Sequence, residues 1–406
     1  MQKEKLATFF ENYINKGSIF ISKKSIQSSH NPENIPHRDE QIEELAGILA
    51  PLLRLEKPSN VFIYGRTGTG KTCVTQHVIN QLISITKKKK LDVGAYYLNC
   101  KLKKVADTEY RLIAQLARGF GETVPATGLP TDEIYKLFIN VIDKKKQLLV
   151  LILDEIDQLV KKVGDGILYN FTRLNSELKK CQLCVIGISN DLMFTDNLDP
   201  RVRSSLSEEE IVFPPYNALQ LQDILRDRSK MTFKEGCVGE GVIEKCAAYA
   251  AREHGDARRA LELLRVAGEL TERDGKVVIT VEYIDRAEDK IENDRVIDNI
   301  RTQPKQVQIT LYSILNIMEK RNKQDKKPFF TGDVYEFYKG TCLDVGLTPL
   351  TQRRVSDIIA ELDMLGIINA RVISKGRYGR TREIAMAVPL STLNKMKEIL
   401  KQNLRL

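Results

Sequence analysis

The chain of 406 residues is long enough for about two to three domains, each with its own core. Its 42% hydrophobic and 29% charged content, the lack of any apolar run of membrane-spanning length and the signal-free start Met1-Gln2-Lys3-Glu4-Lys5 set membrane and exported classes aside, and seven scattered cysteines speak for a reducing, cytoplasmic setting without a disulfide framework. The formal charge of +9 is unevenly spread: residues 301–406 hold 19 Lys/Arg against 10 Asp/Glu, whereas residues 1–300 hold 44 of each, so a polyanionic partner is expected for the last quarter alone.

In chain order, the first chemical motif is Gly65-Arg66-Thr67-Gly68-Thr69-Gly70-Lys71-Thr72. It matches the phosphate-loop pattern G-x-x-x-x-G-K-[ST] and stands between the apolar strand Val61–Tyr64 and a helix expected from about Cys73 to Ile85. The backbone of Gly68, Thr69 and Gly70 would turn its N–H groups toward a phosphate, aided by the helix N-terminus. Lys71 would reach the β and γ phosphates of a nucleotide, and the Thr72 hydroxyl would hold Mg²⁺.

Further strands are expected at about 94–99, 147–153 and 184–188, alternating with helices, which reads as a doubly wound parallel α/β sheet. The run Gln147–Leu153 is continuously apolar, as in a strand covered on both faces, and ends in Asp154-Glu155. Beside a phosphate loop, Asp154 would serve Mg²⁺ through water and Glu155 would polarise the attacking water. Cys181-Gln182-Leu183-Cys184 has no second pair and no clustered histidines, so buried core thiols are expected over a metal or redox site. Asn190, after the next buried strand, either bonds the γ phosphate or the attacking water, or caps a turn.

Phe213-Pro214-Pro215-Tyr216 breaks the α/β pattern, and from Leu219 to about Asn299 the chain reads as helices with a short extended connection at Val277–Thr280. Tyr216 at this hinge either stacks on a base or packs the hinge. Gly255-Asp256-Ala257-Arg258-Arg259 opens a helix, where one arginine could swing onto the γ phosphate, or Asp256 could simply cap the helix with both arginines solvated.

The basic last quarter has a helix expected over Thr351–Leu365 with the apolar stripe Val355, Ile358, Ile359, Leu362 and Leu365. At about 100° per residue, Arg353 lies opposite that stripe, flanked by Ser356 and Asp357. With a helix near Thr331–Tyr338 this makes a helix-turn-helix. Two strands follow, about Ile367–Ile373 and Glu383–Val388, joined by a loop carrying Lys375, Arg377, Tyr378 and Arg380. The whole reads as a winged helix, with the loop suited to a minor groove and Arg353 to a major groove. A solvated hairpin tip and exposed helix face is the plainer alternative.

Taken together, the phosphate loop, Asp154-Glu155, Asn190 and Arg258 resemble the AAA+ ATPases. The segments Asn34–Ile42, Gly187–Asp191, Leu198–Leu206 and Gly379–Glu383 are more narrowly similar to the archaeal origin-recognition/cell-division-control initiators, over about residue 15 to the C-terminus. The resemblance implies an AAA+ core at 1–215, a helical lid at 216–300 and a winged-helix DNA-binding domain at 301–406. It implies Asn190 and Arg258 as sensors of the γ phosphate, Pro36, His37 and Arg38 around the adenine, and Tyr216 and Arg228 contacting the nucleotide from the lid side. It further implies ATP or ADP with Mg²⁺ as ligands, double-stranded origin DNA and the replicative helicase as partners, paralogous initiators as possible co-binders, no membrane, and a cytoplasmic, nucleoid-associated setting. A DNA-touching insertion in the core would fall at Gly121–Pro130. The arginine finger of the eukaryotic relatives is replaced by Ser204-Ser205, with Arg201 and Arg203 nearby, so slow ATP hydrolysis is expected. Two other readings stay open: a clamp-loader-type ATPase, marked by an ATP-dependent pentamer, and a nucleotide-switched transcription regulator, marked by occupancy of promoters.

Overall fold

A computed structural model describes residues 17–27, 34–101, 108–125, 128–206, 208–324, 328–374, 380–388 and 390–406. The chain forms two compact units, Met1–Asp285 and Arg286–Leu406, and the boundary falls inside one long helix, Val281–Thr302.

The first unit is built on a parallel sheet of β1 (Asn60–Gly65), β2 (Val93–Asn99), β3 (Gln147–Asp154), β4 (Cys181–Ser189) and β5 (Glu208–Phe213), in the order β2-β3-β4-β1-β5. The fifth strand has no counterpart in the sequence reading. Its first half, Glu208-Glu209-Glu210, looks like a solvated charge run, yet an edge strand bonded only to β1 can keep such residues wet.

Alternate residues of the central strands feed two separate cores, which is why these strands are apolar throughout. Val61, Ile63, Val150 and Ile186 pack with α1 (Asp39–Leu49) and α2 (Lys71–Lys88). Phe62, Tyr64, Leu151 and Val185 pack with α3 (Glu109–Gly119), α4 (Thr131–Ile142), α5 (Ile156–Val163) and α6 (Gly166–Glu177). The same alternation resolves the C-x-x-C motif: Cys181 and Cys184 lie on opposite faces of β4 and cannot share a metal ion. Burial pushes the Cys184 thiol up to about 12 and, with Asp143 adding to it, the Cys181 thiol up to about 11. Both are free core thiols.

After α7 (Pro200–Leu206) and β5, three helices form the lid: α8 (Ala218–Thr232), α9 (Val242–Arg252) and α10 (Ala257–Arg273). A capping box of Asn217 and Gln220 starts α8. The segment from Ile19 to Ile21 is strapped to this lid: Ile21 N donates to Thr232 O at 2.7 Å, Lys234 N to Ile19 O at 3.0 Å, and the rings of Phe20 and Phe233 lie 4.8 Å apart.

The second unit takes in the end of α11 (Val281–Thr302), then α12 (Lys305–Gln324), β6 (Phe329–Phe330), α13 (Thr331–Asp344), α14 (Gln352–Met364), β7 (Ile368–Ser374), β8 (Arg380–Met386) and α15 (Leu390–Leu404). Its antiparallel sheet has the order β6-β8-β7, and its core gathers Ile314, Tyr338, Val355, Ile359 and Met396. Leu365 departs from the expected stripe. It is the C-cap residue after α14 ends and is 40% exposed, because the stripe rule holds only while the chain remains helical. The strand pairing also extends further than expected: Ser374 pairs with Arg380, so β7 runs to Ser374 and β8 begins at Arg380.

Candidate functional site

The sheet order brings the C-terminal ends of β1, β4 and β3 side by side, where open parallel sheets gather ligands. Gly65 leads into the phosphate loop, and Gly70, at φ 93°, turns the chain into α2. Lys71 is buried, and its ammonium donates to Gly65 O at 2.7 Å, Arg66 O at 2.8 Å and Asn190 Oδ1 at 2.9 Å. Asn190 therefore stands at the loop rather than merely ending a turn. Burial lowers the Lys71 ammonium to about 8; Asp154 opposes that shift and Arg258 adds to it.

Asp154 is buried with both carboxylate oxygens held. The Glu155 backbone N–H donates to Oδ1 at 2.9 Å, while Thr72 Oγ1 at 3.0 Å and the Tyr97 hydroxyl at 2.6 Å donate to Oδ2. Glu155 adopts a left-handed backbone, φ 56°, ahead of α5, and Lys101 Nζ lies 3.4 Å from its carboxylate.

A cavity of about 790 Å³ opens beside the loop, lined among others by Pro36, Gly68, Gly70, Thr72, Tyr216, Arg228 and Arg258. That volume is in the usual range for a small-molecule site. Arg228 is buried and donates to Ser25 O at 3.2 Å. Arg258 is exposed at the start of α10, and Asp256 caps that helix by accepting from Arg258 N and Arg259 N, as the plainer sequence reading allowed.

His37 and Arg38 point elsewhere. His37 Nε2 lies 3.0 Å from Asp223 Oδ2 on α8. Arg38 is 2% exposed, with Nε donating to Thr69 O at 2.9 Å and Nη2 to Pro214 O at 2.6 Å, and its guanidinium lies 3.8 Å from the centre of the Tyr216 ring. It ties the phosphate loop to the hinge. Tyr97 is a residue at the site that sequence reasoning passed over, and Asp256, read there only as a cap, also lies against Gly68. An isolated tyrosine in a strand and a capping aspartate carry no signal until the elements are assembled.

The donor set fits a nucleotide and a hard cation. A buried ammonium faces a loop of glycines at positive φ, and Thr72 and Asp154 offer oxygen atoms only.

In the second unit, Thr351 caps α14 by accepting from Arg354 N. Arg353 and its neighbours face solvent, whereas Val355, Ile358, Ile359 and Leu362 are buried. Arg354 is engaged by Asp357 at 3.8 Å and Glu361 at 3.9 Å, while Arg353 has no ion-pair partner among the described residues. Ser356 is half-buried. Lys375, Arg377 and Tyr378 lie outside the described residues, and Arg380 is described only by its backbone at the start of β8. Of the expected insertion, residues 126–127 lie outside the description, and Arg118 on α3 holds the preceding turn through Val124 O at 2.9 Å.

Comparison with known proteins covers both units. The C-terminal winged-helix domain of CDC6 matches residues 298–396, the Cdc6 AAA+ ATPase-type lid domain residues 222–289, and the AAA domain residues 54–192. An ORC1-type DNA replication protein 1 from Methanosarcina acetivorans is 50% identical over 396 residues, 98% of this chain and 94% of the relative. An ORC1-type DNA replication protein from Thermococcus onnurineus is 52% identical over 392 residues, 96% of this chain and 93% of the relative. The solved ORC1 protein of Aeropyrum pernix, in complex with DNA, superposes with a TM-score of 0.80 at 41% identity, covering 95% of this chain and 97% of its own. Cdc6p from Pyrobaculum aerophilum shares the fold, with a TM-score of 0.60 at 22% identity over 96% of this chain and 99% of its own.

Proposed function

The chain belongs to the family of ORC1-type DNA replication proteins, AAA+ ATPases with a lid and a C-terminal winged helix, and from that premise we propose that it is an ATP-binding initiator that recognises duplex origin DNA and helps recruit the replicative helicase. The observation that carries this reading is the 41% identity, across both units, to an ORC1 protein solved on DNA.

In the core, Lys71 binds the β and γ phosphates, releasing its contacts with Gly65 O, Arg66 O and Asn190 as they are replaced. Thr72 would hold Mg²⁺ and Asp154 would serve it through water, and the ion when bound would neutralise phosphate charge. Glu155 orients water, and Asn190 and Arg258 sense the γ phosphate from the core and the lid. Pro36, Tyr216 and Arg228 enclose the rest of the nucleotide. Hydrolysis is slow, below about one per second, the low end of typical enzymes. Arg203 is engaged by Asp196 at 3.0 Å, and Ser204-Ser205 offers no cation in the position of a finger. Nucleotide in the cleft between core and lid sets their angle.

In the second unit, Arg353 and Ser356 face the major groove, and Lys375, Arg377, Tyr378 and Arg380 form the wing. The test is affinity selection of sheared genomic DNA at moderate salt, beside Arg353→Ala and Arg380→Ala. A few loci at replication starts, lost in both variants, are expected. Enrichment at promoters would favour a transcription regulator, and even coverage a loader that does not choose its DNA.

A further inference from the structure

Tyr97 lies near the C-terminal end of β2, one strand away from Asp154, in a register that sets Tyr97 beside Ile152 and Asn99 beside Asp154. Its hydroxyl donates to Asp154 Oδ2 at 2.6 Å, the same oxygen that accepts from Thr72 Oγ1 at 3.0 Å.

We propose that Tyr97 is a positioning residue for the cation site, holding the Asp154 carboxylate in the orientation that Mg²⁺ requires. The inference rests on the nucleotide reading above. Asp154 has three donors, and they are not equivalent when a cation arrives. Thr72 can give an oxygen lone pair to the cation and still donate its one O–H to Oδ2, so its hydroxyl has two tasks and its orientation follows the cation. The backbone N–H of Glu155 fixes Oδ1, and Tyr97 is the donor on Oδ2 with no second task at the cation. Without it, Oδ2 is held by Thr72 alone and the carboxylate turns more freely about its χ2.

The placement of the ring makes the hypothesis separable from folding. Tyr97 is 39% exposed and lines a groove of about 570 Å³ between α2 and β2, beside Ile79, Ile83 and Ile152. Phenylalanine keeps those ring contacts and removes the hydroxyl alone.

The experiment is equilibrium binding of fluorescent ADP to the full chain, wild type and Tyr97→Phe, in EDTA and across a Mg²⁺ titration. Affinity in EDTA is expected to be equal, since Tyr97 makes no bond to Lys71. The Mg²⁺ concentration giving half of the metal-dependent tightening should rise about tenfold, the scale of a lost hydrogen bond to a charged group. Superimposable Mg²⁺ titrations would overturn the inference while leaving the nucleotide site standing. A parallel loss in EDTA would also overturn it, because Tyr97 would then support the whole pocket. No ADP binding by the wild type at any Mg²⁺ concentration would remove the nucleotide reading and this inference with it.

Discussion

Asp256 lies directly against Gly68: a methyl group built on Gly68 would stand 1.7 Å from Asp256 Oδ1. The N-cap residue of α10 thus touches the phosphate loop, and Ala257 N donates to Gly68 O at 3.2 Å in the same contact. Gly68 is needed twice here, for its φ of +72° and for the absence of a side chain. The contact also places a carboxylate beside the path of an incoming phosphate. Asp256→Asn preserves the helix cap, as asparagine caps equally well, and removes the charge. Nucleotide affinity should then rise about fivefold, the scale of one screened charge at partly exposed distance. Unchanged or weaker affinity by calorimetric titration would show that the carboxylate moves aside on binding.

Lys71→Ala should abolish measurable nucleotide binding, a loss of at least about a hundredfold, since the variant removes a buried, charge-assisted donor. Glu155→Gln should bind as well as the wild type and lower single-turnover hydrolysis by about a hundredfold or more, because it spares every loop contact. Normal hydrolysis by both variants would refute the site assignment.

The depressed Lys71 ammonium gives nucleotide binding a pH dependence. With a value of about 8 in the free protein, Lys71 is charged below that pH and neutral above it, so affinity should be full below pH 8. It should then fall about tenfold per unit as pH rises further, until the bound state also deprotonates. The free fold responds oppositely. It holds fewer protons at Lys71 than the unfolded chain between about pH 8 and the ordinary lysine value of 10.5, so this group adds stability as pH rises through that window. Titrations of fluorescent ADP from pH 7 to 9.5 measure the binding side, and a flat profile would contradict it.

Arg38→Lys should destabilise the first unit by about 2–4 kcal/mol and weaken nucleotide binding about tenfold. Lysine cannot serve Thr69 O, His37 O and Pro214 O together, nor stack on Tyr216, and it leaves buried carbonyls without a donor. Chemical denaturation is the measurement. A change below about 1 kcal/mol would mean that water replaces the guanidinium.

The nucleotide site was legible because its signals are local. A phosphate loop must lie between strand and helix, and Asp154 and Asn190 each follow a largely apolar run, so their position at the C-terminal ends of the strands follows from the strands alone. The winged helix was legible through the period of Val355, Ile358, Ile359 and Leu362 and the charge of the final quarter. Two elements carried weaker signals. β5 is half acidic, and α15 follows the hairpin after only three residues, with Pro389 as the sign of the break. Arg38, which the resemblance sets at the adenine, also bonds the phosphate loop, because a guanidinium 2% exposed must find carbonyl acceptors, and Thr69 and Pro214 supply them.

The sequence by itself determined which residues stand at the strand ends and helix turns of the candidate site, since spacing along such an element is a property of the backbone and survives any tertiary arrangement. Only the folded structure decided who holds those residues in place. Tyr97 reaches Asp154 from the neighbouring strand, Asp256 reaches Gly68 from a different subdomain, and Arg38 spans loop and hinge. Such contacts join positions distant in the chain, and they are selected by packing and by the need of buried polar groups for partners, for which no local pattern exists.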